Sequence, residues 1–170
     1  IDDFGPVFSL DGGALLFGSR GNAGRDSVVV RRDLATGAEV ELISRADREM
    51  LPQSLSSDGA WLVYDQGDEE RIGKFDILLR PLASAGAERI VAGSAEDDSS
   101  GQISPDSRWL AWASDESGQY QIYVAPFPGP GTPIQVSRAG GLQPRWNPAG
   151  GELFFKTPDN TLTAVPIESA

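Results

Sequence analysis

The sequence predicts an all-β chain: a β-propeller built from four-stranded antiparallel blades, with four repeats present. Three observations carry this. One segment recurs four times, apolar residues alternate at a spacing of two inside each copy, and a tight-turn signal sits at the same place in the units.

The recurring segment is Phe8-Ser9-Leu10-Asp11-Gly12-Gly13-Ala14-Leu15-Leu16-Phe17. It returns as Leu55-Ser56-Ser57-Asp58-Gly59-Ala60-Trp61-Leu62-Val63-Tyr64 and as Ile103-Ser104-Pro105-Asp106-Ser107-Arg108-Trp109-Leu110-Ala111-Trp112. A worn fourth copy is Trp146-Asn147-Pro148-Ala149-Gly150-Gly151-Glu152-Leu153-Phe154-Phe155. From Ser9 to Ser56, Ser104 and Asn147 the steps are 47, 48 and 43 residues, a period that marks a repeat architecture.

Within each unit the elements follow in a fixed order. Asp11-Gly12 and Asp58-Gly59 are hairpin turns, because Gly accepts the positive φ they require. The strand after the turn places Leu15, Leu62, Leu110 and Leu153 in one column and Phe17, Tyr64, Trp112 and Phe155 in the next. These aromatics are read as filling the space between blades, and the turn aspartates as turn formers rather than catalytic acids. The following strands are Val28–Val30, Phe75–Leu79, Tyr120–Val124 and Leu162–Val165. In three units a turn (Ala35–Ala38, Ser84–Ala87, Pro128–Gly131) then leads to a shorter strand at Glu39–Ile43, Glu88–Val91 or Pro133–Val136. Four short strands per unit of this length make a propeller blade. The blades run over 1–47, 48–95, 96–139 and 140–170 as a single propeller segment, the last ending near its third strand. Arg45–Met50 has a mildly helical composition but stops at Pro52, so no helix is expected.

Composition narrows the function. The chain has 170 residues, 39% of them hydrophobic, with 20 Gly and 12 Pro, as turn-rich folded β proteins do. No apolar run approaches the ~20 residues of a membrane span. The formal charge is −11, which supplies no basic footprint for nucleic acid. Acids cluster at Asp68-Glu69-Glu70 and Glu96-Asp97-Asp98. Both are read as solvated loops, and both are the places where Ca²⁺ would find oxygen ligands, though neither has an EF-hand spacing. No other cofactor is expected. The chain has no Cys and no His. Thiol nucleophiles, His-based proton transfer and Zn sites with those ligands are excluded within it. No serine sits in a Gly-x-Ser-x-Gly elbow, no phosphate loop occurs, and no spacing selects a carboxylate pair for glycoside hydrolysis. The segment is expected to be non-catalytic. Starting at Ile1 rather than Met, it reads as a processed product or a piece of a longer protein.

The innermost strands are expected to begin near Pro6, Gln53, Gln102 and Pro144. That places Gln53, Gln102, Gln143 and Arg145 as the polar groups at the mouth of the central channel, Arg145 facing either an acidic partner or a neighbouring blade's carboxylate.

Phe-Ser-x-Asp-Gly, then Leu-x-aromatic, then Ile-Tyr-Val resembles the WD-like Pro-Asp repeat of TolB-like β-propellers. The third copy, Ile103–Ser114 followed by Ile122-Tyr123-Val124, is the nearest. The first, second and fourth copies depart from Pro-Asp, with Leu10-Asp11, Ser57-Asp58 and Pro148-Ala149. Gln121–Gly131, Gly140–Trp146, Gly151–Phe155 and Leu162–Ile167 further resemble the C-terminal propeller of bacterial eukaryotic-like Ser/Thr protein kinases. That resemblance implies an extracytoplasmic or periplasmic sensor, scaffolding or binding domain of a larger protein, with a protein or peptide, or the remaining blades of the same chain, as partner. None of the kinase's own motifs is present. The alternative is the gating propeller of a prolyl-oligopeptidase-type serine peptidase, whose catalytic domain would lie outside this chain.

Propellers close with about four to eight blades. An open arc exposing on the order of 500 Å² of apolar surface at each end forgoes roughly 12 kcal/mol per face, as much as the ~5–15 kcal/mol stability of a typical domain. The chain therefore closes alone, pairs with another arc, or belongs to a longer ring. The last is favoured, because only Ile1–Phe4 precedes Gly5-Pro6 as a strand to complete the fourth blade.

Overall fold

The computed structural model describes residues 3–20, 26–67, 73–82, 86–93, 95–129 and 131–167. The acidic run 68–70 and residues 1–2, 84–85 and 168–170 lie outside these. Among the described residues there is no helix, and fifteen strands form four antiparallel sheets. Blade 1 holds β1 (Asp3–Phe8), β2 (Ala14–Arg20), β3 (Asp26–Asp33) and β4 (Glu39–Ala46). Blade 2 holds β5 (Met50–Leu55), β6 (Trp61–Gly67), β7 (Phe75–Pro81) and β8 (Arg89–Ala92). Blade 3 holds β9 (Asp98–Ile103), β10 (Trp109–Ser114), β11 (Gln121–Pro126) and β12 (Ile134–Gln135). Blade 4 has three strands: β13 (Leu142–Trp146), β14 (Glu152–Lys156) and β15 (Leu162–Pro166). Each sheet is ordered as its strands follow in the chain.

The Ser-x-Asp turn is one device used three times. Ser9, Ser56 and Ser104 each donate their hydroxyl to the Asp two residues on. That Asp then accepts the backbone N–H of Gly13, Ala60 or Arg108, and the serine oxygen accepts the first N–H of the next strand. The left-handed residue that closes the turn is Gly12, Gly59 or Ser107. In the fourth turn Asn147 stands at the Ser position, and its side-chain oxygen accepts the Ala149 N–H at 3.0 Å, replacing the missing Asp.

The innermost strands start earlier than the sequence predicts, at Asp3, Met50, Asp98 and Leu142. The physical reason is a bulge in each, where the register with the second strand shifts. Gly5, Ser100 and Gln143 sit in these bulges with φ of 61°, 63° and 54°, so the strand runs on through residues that read as breaks. Asp3–Phe8 is therefore blade 1's own innermost strand and does not complete blade 4.

The core lies between blades. Leu16, Val29 and Ile43 of blade 1 meet Met50, Leu62, Tyr64 and Leu78 of blade 2. Val63, Ile77 and Leu79 meet Ile103, Leu110, Trp112 and Tyr123 across the next seam. Ala111, Ala113, Ile122 and Val124 meet Leu153 and Phe155 across the third. The aromatic column is buried, Phe17, Tyr64, Trp112 and Phe155 keeping 6%, 0%, 3% and 3% of their surface; Tyr64, Trp112 and Phe155 fill the space between blades as expected, whereas Phe17 lies beneath Arg32 in a groove of blade 1. In blades 2 to 4 it points to the preceding blade. A fully buried Ile or Leu here contributes roughly 1.5–3 kcal/mol. Phe127, from the Phe-Pro-Gly turn, packs edge-on against Trp61 at 6.3 Å and ties blade 3 to blade 2. Blades pack in chain order, and the arc does not close.

Candidate functional site

The four polar residues singled out in the sequence lie on the innermost strands β5, β9 and β13, where they divide into two groups. Gln53 and Gln102 are half-buried and tied into a polar ladder. Gln53 Nε2 donates to Asp65 at 2.7 Å, Gln102 Nε2 donates to the Gln53 carbonyl at 3.1 Å, and Trp146 Nε1 donates to the Gln102 carbonyl at 2.9 Å. The ladder thus crosses from blade 2 through blade 3 to blade 4.

Asp65 anchors the ladder. It keeps 2% of its surface and accepts three N–H groups: Gln53 Nε2, Ser100 N at 2.8 Å and Gly101 N at 3.4 Å. Burial pushes its carboxyl up to about 7; these donors pull it back, and the Asp97 charge adds to the rise. The sequence carries a signal for Asp65. The matching position on the second strand is Gly18 in blade 1, Ala113 in blade 3 and Lys156 in blade 4, so among the three blades that another blade follows only blade 2 carries a charge there. At Gly18 an added Cβ would lie 2.3 Å from the Met50 carbonyl oxygen, which explains why the position is small where the next blade's backbone passes closely.

Asp97 accepts the Phe75 N–H at 2.7 Å, the Ser99 hydroxyl at 3.0 Å and the Tyr120 phenol at 2.9 Å. Burial and that bond push the Tyr120 phenol up to about 12. Glu96 pairs with Lys74 at 2.6 Å. Glu96 and Asp97 thus tie the loop between blades 2 and 3 together, and the run is not the solvated loop face expected from sequence, since Asp97 and Asp98 are buried and Asp98 opens β9. Among the described residues no group of three or more potential ligands is arranged around a metal position.

Gln143 and Arg145 stand exposed on β13. Arg145 donates to the Pro144 carbonyl at 2.7 Å and has no carboxylate partner among the described residues. With Lys156, Asn160, Phe154 and Leu162 they line a shallow basin of about 410 Å³ on the face of blade 4 turned away from blade 3. Two cations and two amides over an apolar floor can hold a carboxylate beside a hydrophobic side chain. Nothing in the basin pairs a nucleophile with a base.

No protein-family model matches the chain, and no curated protein matches it. Solved structures do. TolB from Acinetobacter baumannii aligns with a TM-score of 0.76 at 18% identity, covering 96% of this chain and 40% of that one. A TolB-type protein from Agrobacterium tumefaciens gives 0.73 at 22% identity over 87% of this chain and 51% of its own. A prolyl endopeptidase gives 0.63 at 16% identity over 99% and 29%. The chain therefore spans about half or less of each of these proteins. The likeness establishes the fold, a TolB-like β-propeller arc.

Proposed function

We propose that this chain is a non-catalytic binding or scaffolding propeller whose blade 4 outer face takes an acidic segment, of a protein or peptide or of the remaining blades of the same chain. The carrying observation is the basin that joins Gln143 and Arg145 to Lys156: its two exposed cations lack carboxylate partners among the described residues, in a chain of net charge −11. The ladder of Gln53, Gln102 and Asp65 serves as the rigid support behind it. The parent protein we infer is a bacterial one with an extracytoplasmic sensor domain, such as a membrane Ser/Thr kinase. The resemblance of the run Gln121–Gly131 to such kinase-linked propellers supports that reading. Among the described residues no helix is long and apolar enough to cross a membrane, so membrane attachment is assigned to the rest of that parent.

The test is fluorescence anisotropy with labelled acidic peptides that carry one aromatic residue, compared with basic and neutral peptides of equal length. Selective binding that weakens with salt, and at least tenfold loss in the Arg145→Glu/Lys156→Glu variant, is expected. Equal binding of all peptides, or no loss in the variant, overturns the proposal. A second reading, a propeller that gates a serine peptidase, draws on the likeness to the prolyl endopeptidase fold. A hydrolase domain encoded beside this segment would favour it; an upstream kinase domain and membrane helix would favour the first.

A further inference from the structure

Of the three four-stranded blades, blade 3 has the shortest outer strand. β4 has eight residues and β8 four, but β12 has two, pairing Gln135 with Tyr123 and Ile134 with Val124. The next pair in that register would join Pro133 to Ala125, and Pro133 has no N–H with which to continue the ladder. The end of β11 and the Phe127-Pro128 turn are therefore left without an outer strand. A cleft of about 310 Å³ opens there, at the rim of the seam between blades 2 and 3.

Leu79, Leu110 and Trp112, all buried, form the floor of the cleft. Ile90 and Val91 of β8 make one wall, and Phe127 and Pro128 make the other. Val91 is the extra residue of a bulge in β8, and the bulge turns it and Ile90 toward the cleft together. Ile90 is left 66% exposed at the mouth. Arg89 is the only charged residue in the lining. Its guanidinium lies over the Trp61 ring, 5.0 Å from the centroid, and no carboxylate among the described residues pairs with it. The neighbouring Glu88 is taken by Arg45 and Arg80.

Size and charge select the ligand. An apolar cavity of roughly 150 Å³ holds one benzene ring, so this cleft takes a body of one or two rings, at the lower end of the ~300–1,000 Å³ range of ligand sites. A single guanidinium at the mouth matches a single carboxylate, two N–H donors to two oxygens. A phosphate would meet no second cation in the lining.

We propose that the rim cleft between blades 2 and 3 binds a small apolar carboxylate, its ring body against Trp112, Leu110 and Phe127 and its carboxylate on Arg89. The site is separate from the blade 4 basin. It lies in the middle of the chain, where the blades on both sides of it are present.

Isothermal titration calorimetry of the 170-residue chain tests this, with naphthylacetate, its neutral amide, and a peptide carrying an internal Phe-Asp pair as probes. The variants are Arg89→Gln and Ile90→Asp. Both side chains are exposed, so each variant keeps its fold, checked by circular dichroism and an unchanged urea midpoint. Naphthylacetate is expected to bind at one site per chain, and the amide about fivefold more weakly or worse. Arg89→Gln should bring the acid down to the affinity of the amide. Ile90→Asp sets a like charge at the mouth and should weaken the acid by about tenfold. No binding of the acid up to about 1 mM overturns the proposal. So does equal binding of acid and amide, or an affinity for the acid unchanged in either variant. Binding of the peptide without the free acid also overturns it, since the cleft would then be a groove for protein segments.

Discussion

Asp65→Asn isolates a carboxyl that, alone among the described carboxyls, burial raises far enough to set the fold against alkaline pH. Asp65 ionises near 3.8 in an unfolded chain and at about 7 in the fold, because burial outweighs its three N–H donors. The fold thus holds a proton that the unfolded chain has already released. The contribution is fully present below pH ~4 and is lost as pH rises through about 7. Carried through linkage for a group 2% exposed, the distance between those values corresponds to about 4 kcal/mol. Against a typical domain stability of ~5–15 kcal/mol, that is large enough to read directly. Asn keeps one acceptor, which can serve Gln53 and Ser100. Its amide then faces the Gly101 N–H, the longest of the three contacts at 3.4 Å. The variant should therefore lose about 1 kcal/mol at pH 5 and surpass the wild type by pH 9. The assay is urea unfolding followed by tryptophan fluorescence from pH 5 to 9, read as the difference between the two proteins. The difference removes the background of the other carboxylates. Parallel midpoints across that range would refute the reasoning.

Two further substitutions probe the seams. Gly18→Ala places a methyl 2.3 Å from the Met50 carbonyl oxygen and 2.5 Å from the Phe4 ring, so it should cost on the order of 1–3 kcal/mol in urea unfolding; a neutral result would mean the blade 1–2 contact is looser than described. Ser100→Gly relieves a left-handed backbone at φ 63° while keeping the N–H that Asp65 accepts, so it should raise stability by about 0.5–1 kcal/mol, and a loss would count against the bulge.

Sequence made the blades legible because their signals are local. The turn of Ser56-Ser57-Asp58-Gly59 closes on itself, and the Leu62, Tyr64 column follows from strand alternation. The starts of the innermost strands were not legible. Gly5-Pro6 and Pro52 read as breaks, and only the register against the second strand reveals a bulge that carries the strand through. Gln53 and Gln102 were legible as polar residues on the inner strands. Their partners were not, since Asp65 and Trp146 reach them from other strands or blades, 12 and 44 residues away in the chain. Gln143 and Arg145 meet Lys156 because β13 pairs with β14, a pairing that brings a third residue to them unread from its own neighbours.

The central claim, four equivalent blades packed in series as an arc, is tested most directly by amide hydrogen exchange read by mass spectrometry. Protection should recur with the repeat. The second strands β2, β6 and β10, paired on both sides and buried in seams, should exchange slowest, and the Ser-x-Asp turns between them should exchange fast at intervals of 47 and 48 residues. β14 should follow the same order within blade 4, with faster exchange overall because its trailing face is uncovered. Protection without that period, or a single protected block spanning one of the turns, would contradict the account.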